Sequence, residues 1–180
     1  MGDTVEWCHY ADHQRHSARG LAPGRPRAGA VSPGQATAEV DGLLLQALFT
    51  VSEEGGEHRC LDVLPGRVRR LPDGLKVPHM GWNSVRQSRP HPVFEGIPDG
   101  AFFYFVHSYY AEPQDPSVVV GETAYGVTFA AVVAKANIVA TQFHPEKSGE
   151  VGLRLYENFL RLAREGGFPA ETHLDLRLSG

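Results

Sequence analysis

The residues best suited to chemistry lie in the segment QFHPEKSG, residues 142–149. His144 and Glu146 are two positions apart, and Pro145 between them restricts the backbone. A carboxylate next to an imidazole holds one tautomer of the ring and stabilises the imidazolium, which suits a general base. The same three residues also occur as a purely structural turn, and the residues alone leave both interpretations open.

Two further segments carry side chains typical of binding sites or interfaces. VHSYY, residues 106–110, follows an apolar run and ends in hydroxyl-bearing residues, which fits either aromatic packing at a strand end or a binding role. PHMGWN, residues 78–83, contains Met80 and Trp82. Both residue types are enriched at protein interfaces, although a place in the core is the alternative.

The N-terminal region offers a weaker candidate, a metal site. Cys8, His9, His13 and His16 have a spacing that puts ligands on one helix face. No second ligand pair follows at a spacing typical of zinc sites, and the segment has no regular pattern, so we expect no metal site. The two cysteines, Cys8 and Cys60, are also too few for a disulfide framework.

An α/β layered domain would position these residues. Strands are predicted at 60–64, 67–71, 77–85, 101–109 and 117–126, and two more within 127–146. The run at 101–109 predicts a strand buried on both faces. No first strand is recognisable before residue 41. His144 falls where a strand ends and a helix begins, which is where open α/β sheets place their sites.

Two helices are predicted around these strands. GLLLQALFTVSEE, residues 42–54, has an apolar face and is stopped by Gly55 and Gly56. The closing helix spans 148–167, with Ser148 as its N-cap. Its predicted buried stripe consists of the apolar residues Leu153, Tyr156, Phe159, Leu160 and Ala163.

Composition narrows the class of protein. The 180 residues are 42% hydrophobic and suit one domain with a proper core. The formal net charge of -4, without basic clusters, argues against nucleic-acid binding. No stretch approaches the roughly 18 apolar residues of a membrane span, and the N-terminus has no apolar core of a signal peptide. We therefore expect a cytoplasmic protein with no membrane contact.

Taken together, LPG (64–66), PHMGWN, FFYFVHSYY and TQFHPEKSG, in this order, resemble one family over about residues 45–165. This is the family of glutamine amidotransferase subunits of imidazole glycerol phosphate synthase, of histidine biosynthesis. The resemblance implies a flavodoxin-like, class I glutamine amidotransferase α/β fold with a Cys-His-Glu triad. A thiolate attacks the carboxamide of glutamine, ammonia leaves, and water hydrolyses the glutamyl thioester.

The resemblance assigns roles to single residues. His144 and Glu146 match the second and third triad members: His144 takes the thiol proton and passes it to the leaving ammonia, and Glu146 orients His144. Gln46, Ser108 and Tyr109 match positions that contact the substrate glutamine.

The resemblance also implies a partner. This is a cyclase subunit, a (β/α)8 barrel that forms a heterodimer with the amidotransferase and receives ammonia through an internal tunnel. The cyclase makes imidazole glycerol phosphate and aminoimidazole carboxamide ribotide. The resemblance implies no cofactor. The positions that match surface facing the cyclase are Pro78, Met80, Trp82, Asn83 and Lys147.

The sequence departs from this family at the nucleophile. The family carries it in a Gly-x-Cys-x-Gly-x-Gln turn, the elbow, whose glutamine is matched by Gln46. Counting back four residues, the cysteine position is Gly42, and Leu44 replaces the second glycine. Cys8 lies in unmatched sequence and Cys60 lies beyond the helix, so neither replaces the nucleophile. The loop that supplies oxyanion donors is also unmatched.

Three regions follow from this comparison. Residues 1–42 are an unmatched segment whose Ala-Arg-Gly-Pro bias is typical of a GC-rich gene read out of frame, and we interpret it as disordered or frame-shifted. Residues 43–167 are the amidotransferase domain, and 168–180 form a tail without a functional interpretation. Without its leading βα units the sheet would expose an edge, so we predict low solubility for the chain alone.

Three functional interpretations remain. The first is a glutaminase subunit that feeds ammonia to the cyclase. The second is a catalytically inactive docking subunit that keeps the partner surface without the nucleophile. The third is another class I amidotransferase or a related hydrolase, against which PHMGWN argues.

Overall fold

The computed structural model describes the backbone of residues 38–40 and 42–165, and side chains from residue 45 onward. Strands dominate this part of the chain, and they are β1 Ala38–Val40, β2 Phe49–Ser52, β3 His58–Arg59, β4 Leu64–Arg70, β5 His79–Ser84, β6 Arg86–Gln87, β7 Phe102–His107, β8 Tyr109–Pro113, β9 Val119–Tyr125, β10 Val127–Lys135 and β11 Ile138–Thr141. The helices are α1 Gly42–Ala47 and α2 Gly149–Glu165. Short 3-10 turns cover Pro92–Phe94, Pro116–Val118 and Pro145–Lys147.

The strands form three sheets. A five-stranded sheet has the order β1-β11-β10-β9-β6, in which β1 and β11 are parallel and the other pairs antiparallel. A four-stranded sheet has the order β3-β2-β4-β8, with β2 and β4 parallel. β5 and β7 form a separate antiparallel ribbon. The site lies where β11 and β7 approach the start of α2.

Strand β11 lies in the core of the domain, since every one of its residues is buried. Its side chains alternate between two apolar clusters. Val139 packs with the α2 residues Leu155 and Phe159, whereas Ile138 and Ala140 pack with Leu45 and Leu48 of the α1 region. A continuous apolar sequence is what a strand covered on both faces requires.

The predicted helix over 42–54 is wrong beyond its first turns. α1 ends at Ala47, and Phe49–Ser52 is strand β2, paired with β3 and β4. Aromatic and β-branched residues favour strands, and pairing on both sides outweighs the helical spacing of the apolar residues. The predicted strand at 60–64 is also wrong, because only Leu64 belongs to a strand. A strand does precede residue 41, at Ala38–Val40.

The closing helix is confirmed, but its predicted buried stripe is only partly right. Phe159 is buried as predicted, whereas Leu153 and Leu160 are exposed. The residues that α2 buries are Gly152, Leu155, Asn158, Phe159 and Leu162.

The register of α2 has two specific causes, close packing at Gly152 and hydrogen bonds of Asn158. The Asn158 amide donates to the carbonyls of Val93 at 2.9 Å and Glu95 at 2.7 Å. These contacts rotate the helix away from the face that hydrophobicity alone selects.

The aromatic run at 101–109 is divided. β7 ends at His107, and β8 begins at Tyr109. Contrary to the prediction, β7 is not buried on both faces: Phe103 and Phe105 point into the core, whereas Phe102 is exposed. The remaining predicted strands at 67–71, 77–85, 117–126 and 127–146 are confirmed as β4, β5, β9 and β10 with β11.

Nearly all of segment 1–42 and the whole of tail 168–180 lie outside the described residues, so their interpretation stays a prediction. The same holds for Cys8, His9, His13 and His16. Neither helix of the described region is long and apolar enough to cross a membrane. Across residues 45–165, no three His, Cys, Asp or Glu side chains are grouped so as to hold a metal ion.

Candidate active site

The turn that carries His144 is anchored to strand β7. The His144 N–H donates to the Tyr104 carbonyl at 2.9 Å. The Ser148 hydroxyl accepts from the Tyr104 N–H at 3.0 Å and donates to the His144 carbonyl at 2.6 Å. Ser148 therefore uses its side chain to close this turn onto β7, not to cap α2 as the sequence predicted.

Helix α2 packs against the other side of the same turn. A Cβ built on Gly152 would lie only 1.9 Å from the Pro145 carbonyl oxygen. Real Cβ atoms do not approach this closely, so glycine is the residue that permits the contact. The turn is thus held between β7 and the first turn of α2.

The predicted acid–base residues are in contact. His144 Nδ1 lies 2.9 Å from Glu146 Oε1, and the His144 side chain is only 19% exposed. A carboxylate only accepts hydrogen bonds, so the neutral ring carries its proton on Nδ1. Nε2 then keeps its lone pair, which is the arrangement that a general base needs.

Gln46 and Tyr109, both predicted to contact substrate, are also brought together. Gln46 Nε2 donates to the Tyr109 carbonyl at 2.8 Å and lies 3.4 Å from Gln142 Oε1. Gln142 is fully buried, and its Nε2 has no hydrogen-bond partner among the described residues. Since Gln142 comes two residues before His144, this amide cluster adjoins the acid–base pair along the chain.

The parallel pairing of β1 with β11 relates Gly42 to His144. Val40 is in register with Ala140, so residues 42 and 144 leave the carboxyl ends of neighbouring parallel strands. In α/β sheets such ends carry the functional groups. Gly42 begins α1, and the side chains of residues 42–44 lie outside the described part. The topology therefore brings the predicted nucleophile position to the edge that carries His144.

Among residues 45–165, no hydrogen bond joins Ser108 or Cys60 to His144 or Glu146. Ser108 lies at the bend between β7 and β8, where its carbonyl accepts from the Leu71 N–H at 3.0 Å. Cys60 is buried after β3, and its N–H donates to the Thr50 carbonyl at 3.0 Å.

The predicted partner residues divide between two faces of β5. Met80 and Trp82 are 57% and 55% exposed, and the neighbouring strand adds Phe102 at 57%. Asn83 points to the opposite face, where its amide donates to the Ala124 carbonyl at 3.0 Å. Lys147 is exposed on the turn after His144. The exposed apolar face is joined to the site, because the Trp82 ring packs edge-on against Tyr104 at 6.0 Å.

Sequence reasoning missed a buried histidine pair. His79 Nδ1 lies 2.9 Å from His107 Nε2, and His107 Nδ1 lies 2.8 Å from the Tyr109 carbonyl. Burial lowers the pKa of His107 to about 3; the hydrogen bond to Tyr109 opposes this shift, and nearby His79 and His144 add to it by smaller amounts. Burial also lowers the pKa of His79. The sequence signal that could have revealed this pair is one histidine at an inward-facing position in each of two neighbouring strands.

Comparisons with known proteins agree with the fold and the motifs. The glutamine amidotransferase class-I family matches residues 45–163. Subunit HisH of imidazole glycerol phosphate synthase from Dehalococcoides mccartyi strain CBDB1 is 56% identical over 119 residues, 66% of this chain and 58% of that protein. Subunit HisH from Moorella thermoacetica is 55% identical over 123 residues, 68% of this chain and 59% of that protein. The chain thus spans less than two thirds of the length of these curated relatives.

A solved structure of a glutamine amidotransferase shares the fold, with a TM-score of 0.54 and 21% identity over 74% of this chain and 64% of that one. The predicted class I α/β fold is therefore confirmed. The match of the family over residues 45–163, across the described site, shows that the chain belongs to the class-I glutamine amidotransferases.

Proposed function

We propose that this chain is the glutaminase subunit of imidazole glycerol phosphate synthase. It hydrolyses glutamine to glutamate and ammonia, and the ammonia passes to the cyclase subunit in histidine biosynthesis. The observation that carries the proposal is the His144–Glu146 contact of 2.9 Å, in a region 56% identical to HisH subunits.

Within this proposal each residue has a defined task. His144 Nε2 accepts the proton of the attacking thiol and later protonates the leaving ammonia, while Glu146 stabilises the imidazolium that forms between these steps. Water then cleaves the thioester to release glutamate. Gln46, Ser108 and Tyr109 hold the substrate. No cofactor takes part in these steps.

The exposed apolar face of the β5–β7 ribbon supports the proposed partner. Met80, Trp82 and Phe102 present large apolar side chains, and the turn that carries the exposed Lys147 is hydrogen-bonded to Tyr104 of β7. Apolar side chains with a charged group nearby are suited to an interface with a polar rim. We propose that this face and Pro78 contact the (β/α)8 cyclase in a cytoplasmic heterodimer. Asn83 acts from the inner side of β5.

A second candidate is favoured by Gly42. With glycine at the nucleophile position there is no thiol to form the acyl-enzyme, and His144 has nothing to deprotonate. The chain would then be a docking subunit, and the cyclase would use free ammonia.

One experiment separates the two candidates. The full chain is mixed with a cyclase subunit of imidazole glycerol phosphate synthase and its nucleotide substrate, and glutamate release from glutamine is measured together with binding of the chain to the cyclase. Glutaminase activity that is lost in His144→Asn but kept in Glu157→Gln supports the first candidate. Glu157 is an exposed carboxylate on α2, paired with Arg154 at 3.1 Å, and serves as the matched control.

Binding without glutamate release supports the docking subunit. If the chain neither binds the cyclase nor hydrolyses glutamine, both candidates are refuted. Mass spectrometry of N-terminal peptides from the native protein complements the assay: a Gly-x-Cys-x-Gly-x-Gln peptide would supply the nucleophile, whereas WCHYADHQR would establish the sequence as given.

A further inference from the structure

A buried line of hydrogen bonds runs from strand β5 to the amide cluster of the site. Asn83 Nδ2 lies 3.4 Å from His79 Nε2, and His79 Nδ1 lies 2.9 Å from His107 Nε2. His107 Nδ1 lies 2.8 Å from the Tyr109 carbonyl oxygen, which also accepts from Gln46 Nε2 at 2.8 Å. The two histidines face each other across the β5–β7 register.

The two ends of this line determine which ring nitrogens carry protons. A carbonyl oxygen only accepts, so His107 must carry its proton on Nδ1. Neutral His107 then offers a lone pair at Nε2, and His79 must donate from Nδ1. His79 Nε2 is left as an acceptor.

The contacts of Asn83 independently require that His79 Nε2 is a hydrogen-bond acceptor. The Asn83 carboxamide oxygen accepts from the Ser84 N–H at 2.8 Å, and its Nδ2 donates to the Ala124 carbonyl at 3.0 Å. These contacts fix the amide orientation, so the group facing His79 Nε2 is an N–H donor. Every hydrogen bond in the line is therefore donated in the same direction, from Asn83 towards Tyr109. No donor faces a donor, and no acceptor faces an acceptor.

The surroundings keep both rings neutral and in place. His79 is stacked between Tyr125 at 4.0 Å and Phe105 at 5.0 Å, measured between ring centroids. Both histidines are buried. A proton added to His107 would place a donor against the donor of His79, and burial lowers the pKa of both rings.

We propose that His79 and His107 are positioning residues that orient the Tyr109 carbonyl and, through it, the Gln46 amide. Tyr109 has one carbonyl with two lone pairs, and both are used, one by His107 and one by Gln46. Loss of the His107 bond loosens the orientation of this carbonyl, and Gln46 Nε2 then keeps only its longer contact of 3.4 Å to Gln142 Oε1. That Gln46 and Tyr109 contact glutamine rests on the proposed function, but the orienting role of the histidines does not.

The first test is spectroscopic and uses the full chain labelled with 15N-histidine. Two-bond 1H–15N correlations near neutral pH identify the protonated nitrogen of each ring. We expect His79 and His107 both to carry the proton on Nδ1, the less populated tautomer of free histidine. A proton on Nε2 of either ring overturns the proposal.

The second test measures hydrogen exchange of the Gln46 side-chain amide. His79→Leu removes the donor to His107 Nε2, and we expect exchange about tenfold faster, as for loss of one buried hydrogen bond. His79→Asn keeps a donor near the Nδ1 position and should restore slow exchange. Thr123→Val is the matched control, because it removes a buried hydrogen bond of 2.7 Å to the Ser84 carbonyl outside this line.

Unchanged exchange in folded His79→Leu, or equal acceleration in Thr123→Val, overturns the orienting role. If His79→Leu does not fold, the tautomers of the unaltered chain and the exchange in His79→Asn still decide the proposal. Neither measurement needs glutamine or cyclase, so failure of the glutaminase assay leaves this result unaffected and the two proposals stand or fall separately.

Discussion

Gly152 sits in the first turn of α2, against the backbone of the turn that carries His144. In a helix interior, replacing glycine by alanine normally stabilises a protein by about 0.5–1 kcal/mol. Here the new Cβ would lie 1.9 Å from the Pro145 carbonyl oxygen and 3.0 Å from the Ser148 Cβ. To reach ordinary contact, α2 or the turn must move by about 1.5 Å, and overpacking of this kind costs roughly 1–3 kcal/mol. We therefore expect Gly152→Ala to destabilise the fold by about 1–2 kcal/mol.

Urea unfolding of the full chain, followed by far-UV circular dichroism, measures this change. Ala163→Gly in the same helix reports helix propensity alone and should cost about 1 kcal/mol. The movement should also shift the ring resonances of His144, whose carbonyl is bonded to Ser148. A Gly152→Ala protein as stable as the unaltered chain, with unchanged His144 resonances, would refute the close contact between α2 and the turn.

Three other predictions concern pH, a buried amide and the exposed face. Because burial lowers the pKa of His107 to about 3, the unfolded chain binds one more proton at this residue between about pH 3 and pH 6.5, which lowers stability by about 1.4 kcal/mol per pH unit as pH drops. Burial also lowers the pKa of His79 and His91, which act in the same direction, so His107→Gln should reduce the slope of a thermal-unfolding series without abolishing it, and an unchanged slope contradicts the assignment. Asn158→Ala leaves the carbonyls of Val93 and Glu95 without their donor and should cost about 2–3 kcal/mol in urea unfolding, whereas a loss below the measurement error would show that water replaces the amide. Trp82→Ser, at a side chain 55% exposed, should hardly change the unfolding midpoint but weaken cyclase binding more than about tenfold in calorimetry; undiminished affinity would remove Trp82 from the interface.

Local spacing was sufficient to predict the contact between His144 and Glu146 and much of the strand pattern. His144 and Glu146 are two residues apart around a proline, so their contact depends on one turn. The confirmed strands β4, β5, β9, β10 and β11 are short segments set off by glycine, proline or a turn. The local sequence of each segment is therefore enough to indicate that it forms a strand.

Features that depend on distant partners were not predictable in the same way. His79 and His107 meet because β5 and β7 pair in one register, which neither segment encodes alone. The boundary at Phe49 is set by pairing of β2 with β4, and the buried face of α2 by Gly152 and Asn158. In each case a tertiary contact outweighs the local pattern.

The turn around His144 is held by Tyr104, Ser148 and Gly152, and none of these contacts involves residues 42–44. The acid–base pair should therefore persist without a nucleophile, ready to act on a thiol restored at the neighbouring strand end.

The double variant Gly42→Cys with Leu44→Gly tests this expectation. Its new thiol should react readily with iodoacetamide near neutral pH, because His144 can take its proton. Adding His144→Asn should slow this reaction. Equal reactivity with and without His144 would mean that residue 42 does not reach the imidazole, and the parallel pairing of Val40 with Ala140 would not bring the two residues together as the topology implies.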